Sequence, residues 1–305
     1  MHRDDQAASE EGSAPPLVSV IIPCFNAEKF IQRTLESVYS QKHVCFEVVL
    51  VDDGCSDGSI EIVRSLFPNV RIHSHEGHGN KGYAASVNLG ISKAGGGYLA
   101  FLDADDVWLV DTYLSEQVAT LENHPEAVLS FCNGVAIDQN DRVLWHWNEE
   151  SLFVNFDKRL ILQNCFMLTG STVVRRSAMA LVGDFNVSLQ SADHDMWIRL
   201  SELGDFACSP RPVLGYRQHP GQISSRRKQW EDGFAILRDV RRRGYYNAGE
   251  IFRRKAVLHY RLSAHDKSQA AYVSMLFHAL MSLFYDPARA LSQAKRWALT
   301  RCKMS

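Results

Sequence analysis

Two short acidic stretches carry the residue types best suited to chemistry. Asp52 and Asp53 follow the apolar run FEVVLV, and Asp103, Asp105 and Asp106 follow YLAFL. Each run is a strand that ends in carboxylates. Like charges in contact repel by ~4 kcal/mol per pair at an effective dielectric of 20, and a divalent cation would remove that repulsion. Asp103-x-Asp105 offers hard oxygen ligands on a short loop, a donor set suited to Mg²⁺ or Mn²⁺ with positions left for phosphate oxygens. The bland alternative is an Asp-rich turn that caps the next helix. Neither loop is an EF-hand, because position 5 from Asp103 is Val107 and position 3 from Asp53 is Cys55. Gly77-His78-Gly79-Asn80-Lys81-Gly82 matches the G-x-G-x-x-G pattern. That fingerprint belongs after the first strand of a dinucleotide fold, and here the first strand ends in Pro-Cys-Phe-Asn. A glycine loop lying beside a nucleotide accounts for it without nicotinamide or flavin.

These residues need a frame. Leu17–Pro23, Phe46–Val51, Val70–Ser74 and Tyr98–Leu102 read as buried strands. Between them lie three helical patterns. The first is capped by Asn26, with Phe30, Ile31, Leu35 and Val38 on one face. The second is Ser59–Phe67, stopped by Pro68, and the third is Tyr83–Ala94, closed by three glycines. The alternation predicts an α/β, doubly wound, mostly parallel sheet with helices on both faces. In such sheets ligands bind beyond the carboxyl ends of the strands, where the aspartates fall. After Asp106 the rhythm changes. Thr112–Asn123 and Asp195–Leu203 read as helices, and Ala127–Ile137, Arg142–Trp147 and Ser171–Val174 as strands. From Arg226 only helices are expected, broken near Gly244 and at Pro287.

Composition sets the outer limits. The 305 residues are 46% apolar and 22% charged, which excludes wholesale disorder and collagen-like structure. A net charge of −2 gives no global reason to expect nucleic acid. The charge is unevenly placed: residues 226–305 hold 17 Lys and Arg against 6 Asp and Glu. The seven cysteines are odd in number and scattered, with no C-x-x-C, so reduced core thiols are expected rather than a disulfide framework. Residues 1–15 read as a disordered polar tail, with no apolar run of a secretory signal. The longest mostly apolar stretch, Ala270–Tyr285, has 16 residues. A spanning helix needs ~20, so a buried or interfacial helix is expected.

In order, the stretches SVIIPCFNAEKFIQRTLESVYSQ, VVLVDDGCSDGS, GNKGYAASVNLGI, YLAFLDADDVW, GSTVVRR, VGDF, DHDMWIRL and YRQHPGQIS resemble the family 2 glycosyltransferases, inverting enzymes with the GT-A fold. The resemblance runs from about Leu17 to Ser224 and implies a GT-A nucleotide-sugar domain over 16–225, with a basic helical C-terminal extension over 226–305. It implies that Asp52 and Asp53 meet the base and ribose of a nucleoside-diphosphate sugar, with Pro23 and Phe25 beside the base. Asp103 and Asp105 become the D-x-D pair, Asp105 a direct metal ligand and Asp103 nearer the ribose, with Mn²⁺ or Mg²⁺ as cofactor. His219 matches a position that ligands the metal or meets the diphosphate in some relatives. Lys81 stands near the diphosphate, and Gly170 and Ser171 near the acceptor. Asp193 stands at the catalytic base, preceded by Ala192 where the family usually has Glu.

The family's chemistry would have Asp193 take a proton from an acceptor hydroxyl as it attacks the anomeric carbon. Each position has a structural alternative: a helix start for Asp193 and Asp195, a strand start for Gly170 and Ser171, a loop histidine for His219. The implied partners are a nucleotide sugar, with UDP as the family's usual base, and a carbohydrate or lipid-linked glycan acceptor. The basic tail and the Ala270–Tyr285 stripe suggest a cytoplasmic protein with peripheral contact at the inner membrane face. A sugar-phosphate nucleotidyltransferase and a non-catalytic sugar-nucleotide-binding protein are the competing functions.

Overall fold

The computed structural model describes residues 17–154, 156–219 and 227–289. Strand β1 (Leu17–Cys24) leads through α1 (Ile31–Tyr39) to β2 (Cys45–Asp52), then α2 (Ser59–Leu66), β3 (Arg71–Ser74), α3 (Tyr83–Lys93) and β4 (Tyr98–Phe101). A short β5 (Val107–Trp108), α4 (Tyr113–Asn123), β6 (Ala127–Ile137) and β7 (Val143–His146) follow. After them come β8 (Thr172–Arg175), α5 (Arg176–Val182), α6 (Ala192–Leu203) and β9 (Asp205–Arg217). The described chain closes with α7 (Lys228–Arg243), α8 (Ala248–Ser268) and α9 (Tyr272–Tyr285). The expected disordered tail and the expected boundary between residues 225 and 226 lie outside the described residues.

The sheet order is β3-β2-β1-β4-β8-β6-β9-β5, with β7 paired to β6. Strands β3, β2, β1 and β4 run parallel, and β8 and β5 are antiparallel to their neighbours. Register aligns the strand ends: Cys24 pairs with Asp52, Asp52 with Ser74, and Ile21 with Phe101. The residues that follow each strand therefore emerge along one rim.

Alternation along β1 divides the core. Val18, Val20, Ile22 and Cys24 pack on one face with α1, α2 and α4. Ile21 packs on the other with Val87 of α3, Trp197 of α6 and residues of α7 and α8. The sheet and the first two C-terminal helices thus share one core, and the Glu250 carboxylate at the start of α8 accepts from Arg159 Nε at 2.7 Å. Gly90 lets α3 sit on β1, since a Cβ there would lie 2.5 Å from Ile21 Cγ2. Gly90→Ala is expected to lower stability by about 1–3 kcal/mol in thermal or urea unfolding, overpacking outweighing the ~1 kcal/mol gain in helix propensity.

Three local expectations are corrected. Asn26 does not cap α1, which starts at Ile31. It adopts φ of 50°, and its Oδ1 accepts from Ser56 N–H at 2.8 Å, tying the β1 and β2 exits together. Helix α6 begins at Ala192, three residues before Asp195, which brings Asp193 into its first turn. Strand β9 was hidden by Pro210 and Pro212, which cannot donate to a ladder. It pairs with β6 through shifts of register at Cys132–Gly134 that accommodate the prolines.

Candidate active site

The rim begins where β1 and β2 end. Asp52 is buried, and its Oδ1 accepts from the N–H groups of Gly54 and Cys55 at 3.1 and 2.8 Å. Its Oδ2 stands 3.7 Å from His78 Nδ1. Asp53 holds the glycine loop, because its two oxygens accept from Lys81 N–H at 2.7 Å and Gly82 N–H at 3.0 Å. Gly82 has φ of 88°, which few residues other than glycine tolerate. Both oxygens of Asp53 thereby hold the glycine loop that carries Lys81. The Lys81 side chain is exposed, as is Phe25, at 51%, beyond the half-buried Pro23.

The second acidic loop is fixed from two sides. Buried Thr34 of α1 donates to the carbonyls of Ala104 and Asp106 at 2.9 and 2.8 Å. From the other side comes Arg217, the last residue of β9. Its N–H donates to Asp106 Oδ1 at 2.8 Å, its Nε to Asp105 O at 2.7 Å and its Nη1 to Asp138 O at 2.8 Å. Its Nη2 pairs with Asp141 at 2.6 Å. Two residues on, His219 Nε2 meets Asp105 Oδ2 at 2.8 Å, with its ring 5.2 Å from that of Phe30.

Carboxylate oxygens of Asp103, Asp105 and Asp106 gather within 4.8 Å of one another. Burial first, then Asp105 and Asp193, push Asp103 up to about 8. Burial first, then Asp105 and Asp103, raise Asp106 well above the usual range. Such unbalanced negative charge on oxygen donors, with an imidazole alongside, fits a hard divalent cation.

Asp193 completes the arrangement. Its Oδ1 accepts from His194 N–H at 2.7 Å, and burial raises it above the ordinary carboxylate range. Thr169 stands beside Asp193 and Tyr83 and favours the charged form of each, and the charges of Asp103 and Asp193 both bear on Tyr83. The next residue, His194, is buried and pushed down to about 3 by burial and by Arg254. It is therefore neutral, with Nε2–H donating to Ile161 O at 2.6 Å and Nδ1 accepting from Arg254 Nη2 at 3.3 Å. A residue of α8 thus braces the turn that presents Asp193. Ala192 is fully buried, and Asp195 forms an ion pair with Arg199 at 2.9 Å, the structural role expected of it.

Gly170 and Ser171 sit on the inner side of their turn. Ser171 is fully buried and donates to Leu168 O at 2.8 Å, while Gly170 O accepts from Trp108 Nε1 at 2.7 Å. The structure brings Thr169 to Asp193 and turns Ser171 into the core. Thr169, Tyr83, Arg217 and Arg254 went unmarked in the sequence. Arg217 alone had a local signal, two residues before His219 in YRQH.

The glycosyl transferase family 2 model matches residues 19–182, more than half of the chain. The chain belongs to glycosyl transferase family 2. The match ends before Asp193 and His219. Among relatives of this family 2 glycosyltransferase, the hyaluronan synthase of Pasteurella multocida is 32% identical over 261 residues, covering 77% of this chain but 24% of the synthase. An Escherichia coli UDP-Glc:alpha-D-GlcNAc-diphosphoundecaprenol beta-1,3-glucosyltransferase, WfaP, is 27% identical over 68% of this chain and 80% of its own length. The fold is GT-A. Staphylococcus aureus TarS bound to UDP-GlcNAc superposes with a TM-score of 0.62 at 20% identity, over 82% of this chain and 72% of that one. A Pyrobaculum calidifontis mannosyltransferase bound to GDP-Man and Mn²⁺ superposes with a TM-score of 0.61 at 19% identity, over 94% and 81%. For a family 2 chain the aspartate rim lies where a GT-A sheet presents the exits of its parallel strands.

Proposed function

We propose that this glycosyltransferase moves a sugar, with inversion, from a UDP-sugar to a hydroxyl of a glycan or lipid-linked acceptor in polysaccharide assembly. The observation that carries the reading is the gathering of the Asp103, Asp105 and Asp106 carboxylates within 4.8 Å, with His219 2.8 Å from Asp105 and the charge of Asp193 bearing on Asp103. Asp52 and the Pro23–Phe25 exit receive the base and ribose. Asp105 and His219, with Asp103, hold the divalent ion, which when bound supplies Lewis-acid stabilisation of the departing diphosphate. Lys81, positioned by Asp53, adds positive charge on that side. Asp193 accepts the acceptor's proton, and its raised affinity for protons suits a general base. The bound ligands of TarS and of the mannosyltransferase, and the acceptor named for WfaP, support the donor and acceptor classes.

A thermal-shift panel of UDP-, GDP- and dTDP-sugars with and without Mn²⁺ tests this reading. At about 100 Kd the correct donor stabilises by ~2.7 kcal/mol. The shift is expected to require Mn²⁺ and to be lost in Asp105→Asn. No shift with any donor overturns the reading. A shift without any donor turnover favours the non-catalytic binding protein instead.

Contact with an anionic lipid surface is the second part of the proposal, and α9 supports it. This helix is built inside out. Its polar residues turn inward, Ser274 to Asp266 at 2.6 Å, His278 to His259 at 2.8 Å and Ser282 to Ala256 O at 2.9 Å. Its apolar residues turn outward, with Val273 at 89% and Phe284 at 74% exposure, flanked by Leu276, Phe277 and Leu280. An exposed apolar helix face in a basic region matches interfacial binding, each surface-near Lys or Arg adding ~1 kcal/mol. No helix among the described residues is long and apolar enough to cross a membrane. The protein is expected to sediment with phosphatidylglycerol vesicles, less so with added salt, and to lose binding in Phe277→Asp/Phe284→Asp. Absence of sedimentation removes the lipid surface as the partner.

A further inference from the structure

Cys24 and Cys55 are 31 residues apart, yet their sulfurs lie 3.8 Å from each other at the exit of β1. Cys24 ends β1 and is fully buried, while Cys55 is half-buried at the rim. Several contacts hold Cys55 in place. Its N–H donates to Asp52 Oδ1 at 2.8 Å, its thiol donates to Cys24 O at 3.3 Å, and its sulfur accepts from Asn26 N–H at 3.4 Å. Each contact involves a residue of the two loops assigned to the nucleoside. Among the described residues the remaining cysteines, Cys45, Cys132, Cys165 and Cys208, are free thiols.

We propose that Cys24 and Cys55 form an oxidisable dithiol, a modification site that closes to a disulfide and lowers affinity for the donor nucleotide. The second clause rests on the donor site assigned above. The oxidant is a small-molecule disulfide. The Cys55 thiolate attacks one of its sulfurs and expels one thiolate, leaving a mixed disulfide on Cys55. Cys24 then gives up its proton and attacks the Cys55 sulfur, and the second small thiol leaves. Two protein thiols are oxidised and one external disulfide is reduced to two thiols. Its neighbour Cys55 and burial hold the Cys24 thiol protonated, so the half-buried Cys55 is the entering nucleophile.

Bonded sulfurs lie ~2.05 Å apart. Closure therefore draws Cys55 toward β1, away from Asn26, and pulls on the N–H that holds Asp52. With the Asp52 carboxylate drawn out of place, loss of one hydrogen bond between it and the bound nucleoside weakens binding by about tenfold.

The test incubates the full chain with oxidised glutathione, maps peptides by non-reducing mass spectrometry and measures UDP affinity in Mn²⁺ before and after dithiothreitol. A Cys24–Cys55 cross-linked peptide, with UDP bound about tenfold more weakly until reduction, is the expected result. Cys55→Ser, compared with its own untreated form, should show no oxidant-dependent change at this site, and Cys24→Ala should stop at the glutathione mixed disulfide on Cys55 with no cross-linked peptide. Absence of the cross-link, or a cross-link with unchanged affinity, overturns the proposal. If the reduced protein binds no nucleotide, the donor site and its redox control fall together, and the peptide map still decides whether the disulfide forms.

Discussion

Asp193→Asn is expected to lower kcat by about 10²–10⁴-fold while leaving donor affinity essentially unchanged. The change is nearly isosteric. The carboxamide oxygen can still accept from His194 N–H, a contact of 2.7 Å, so the first turn of α6 stays in place. What is lost is the ability to take a proton. The donor side should not notice, because Asp52 and Asp105 hang on other strands and on Arg217. The measurement is single-turnover transfer together with UDP-sugar titration of the same variant. Wild-type turnover in Asp193→Asn would leave Asp193 with only its helix-start role. Weakened donor binding with intact chemistry would instead assign it to the sugar.

The second large effect is on stability. Arg217→Met leaves the Asp105 and Asp138 carbonyls and the Asp141 carboxylate without their donor, and empties the guanidinium's place 5.1 Å from the Phe30 ring. Breaking a buried ion pair from one side costs about 3–5 kcal/mol. Asp141 is 30% exposed and keeps Arg33 at 3.0 Å, which argues for the lower end. At roughly 2–4 °C per kcal/mol for a domain of this size, Tm should fall by roughly 6–12 °C. Manganese-dependent activity should fall with it, because Arg217 orients the loop carrying Asp105. Arg217→Lys is expected to rescue little, since an ammonium cannot serve three partners in one plane. Scanning calorimetry and a Mn²⁺ titration of activity check both. A Tm within ~2 °C of wild type would show that Thr34 and the main-chain N–H at position 217 hold the loop without the guanidinium.

Membership of family 2 replaces the nucleotidyltransferase alternative. The inside-out α9 and the Cys24–Cys55 pair came from the structure. The stripe of α9 was legible as buried or interfacial without its direction, and the cysteines only as two of seven scattered ones. A stripe reports that a face is apolar, not which way it points.

The chain order of residues was enough to read β1 to β4, the helices between them and the rim of aspartates. Those features depend on periods of two and 3.6 residues and on turn-forming residues a few positions away. Asp103 and Asp105 were marked for the same reason, standing where a strand ends, whereas Asp193 was marked through the resemblance to family 2. Tertiary structure alone decided that Asp53 spends both oxygens on the glycine loop and that Ser171 faces the core while Thr169 stands beside Asp193. It alone placed Arg217 against the Asp103–Asp106 loop and Arg254 against His194, next to Asp193. Each of these contacts joins residues 28 or more apart or turns on which side of a short turn faces inward. Such choices are set by the packing of whole elements, through β9 and α8, and leave no periodic mark on the chain.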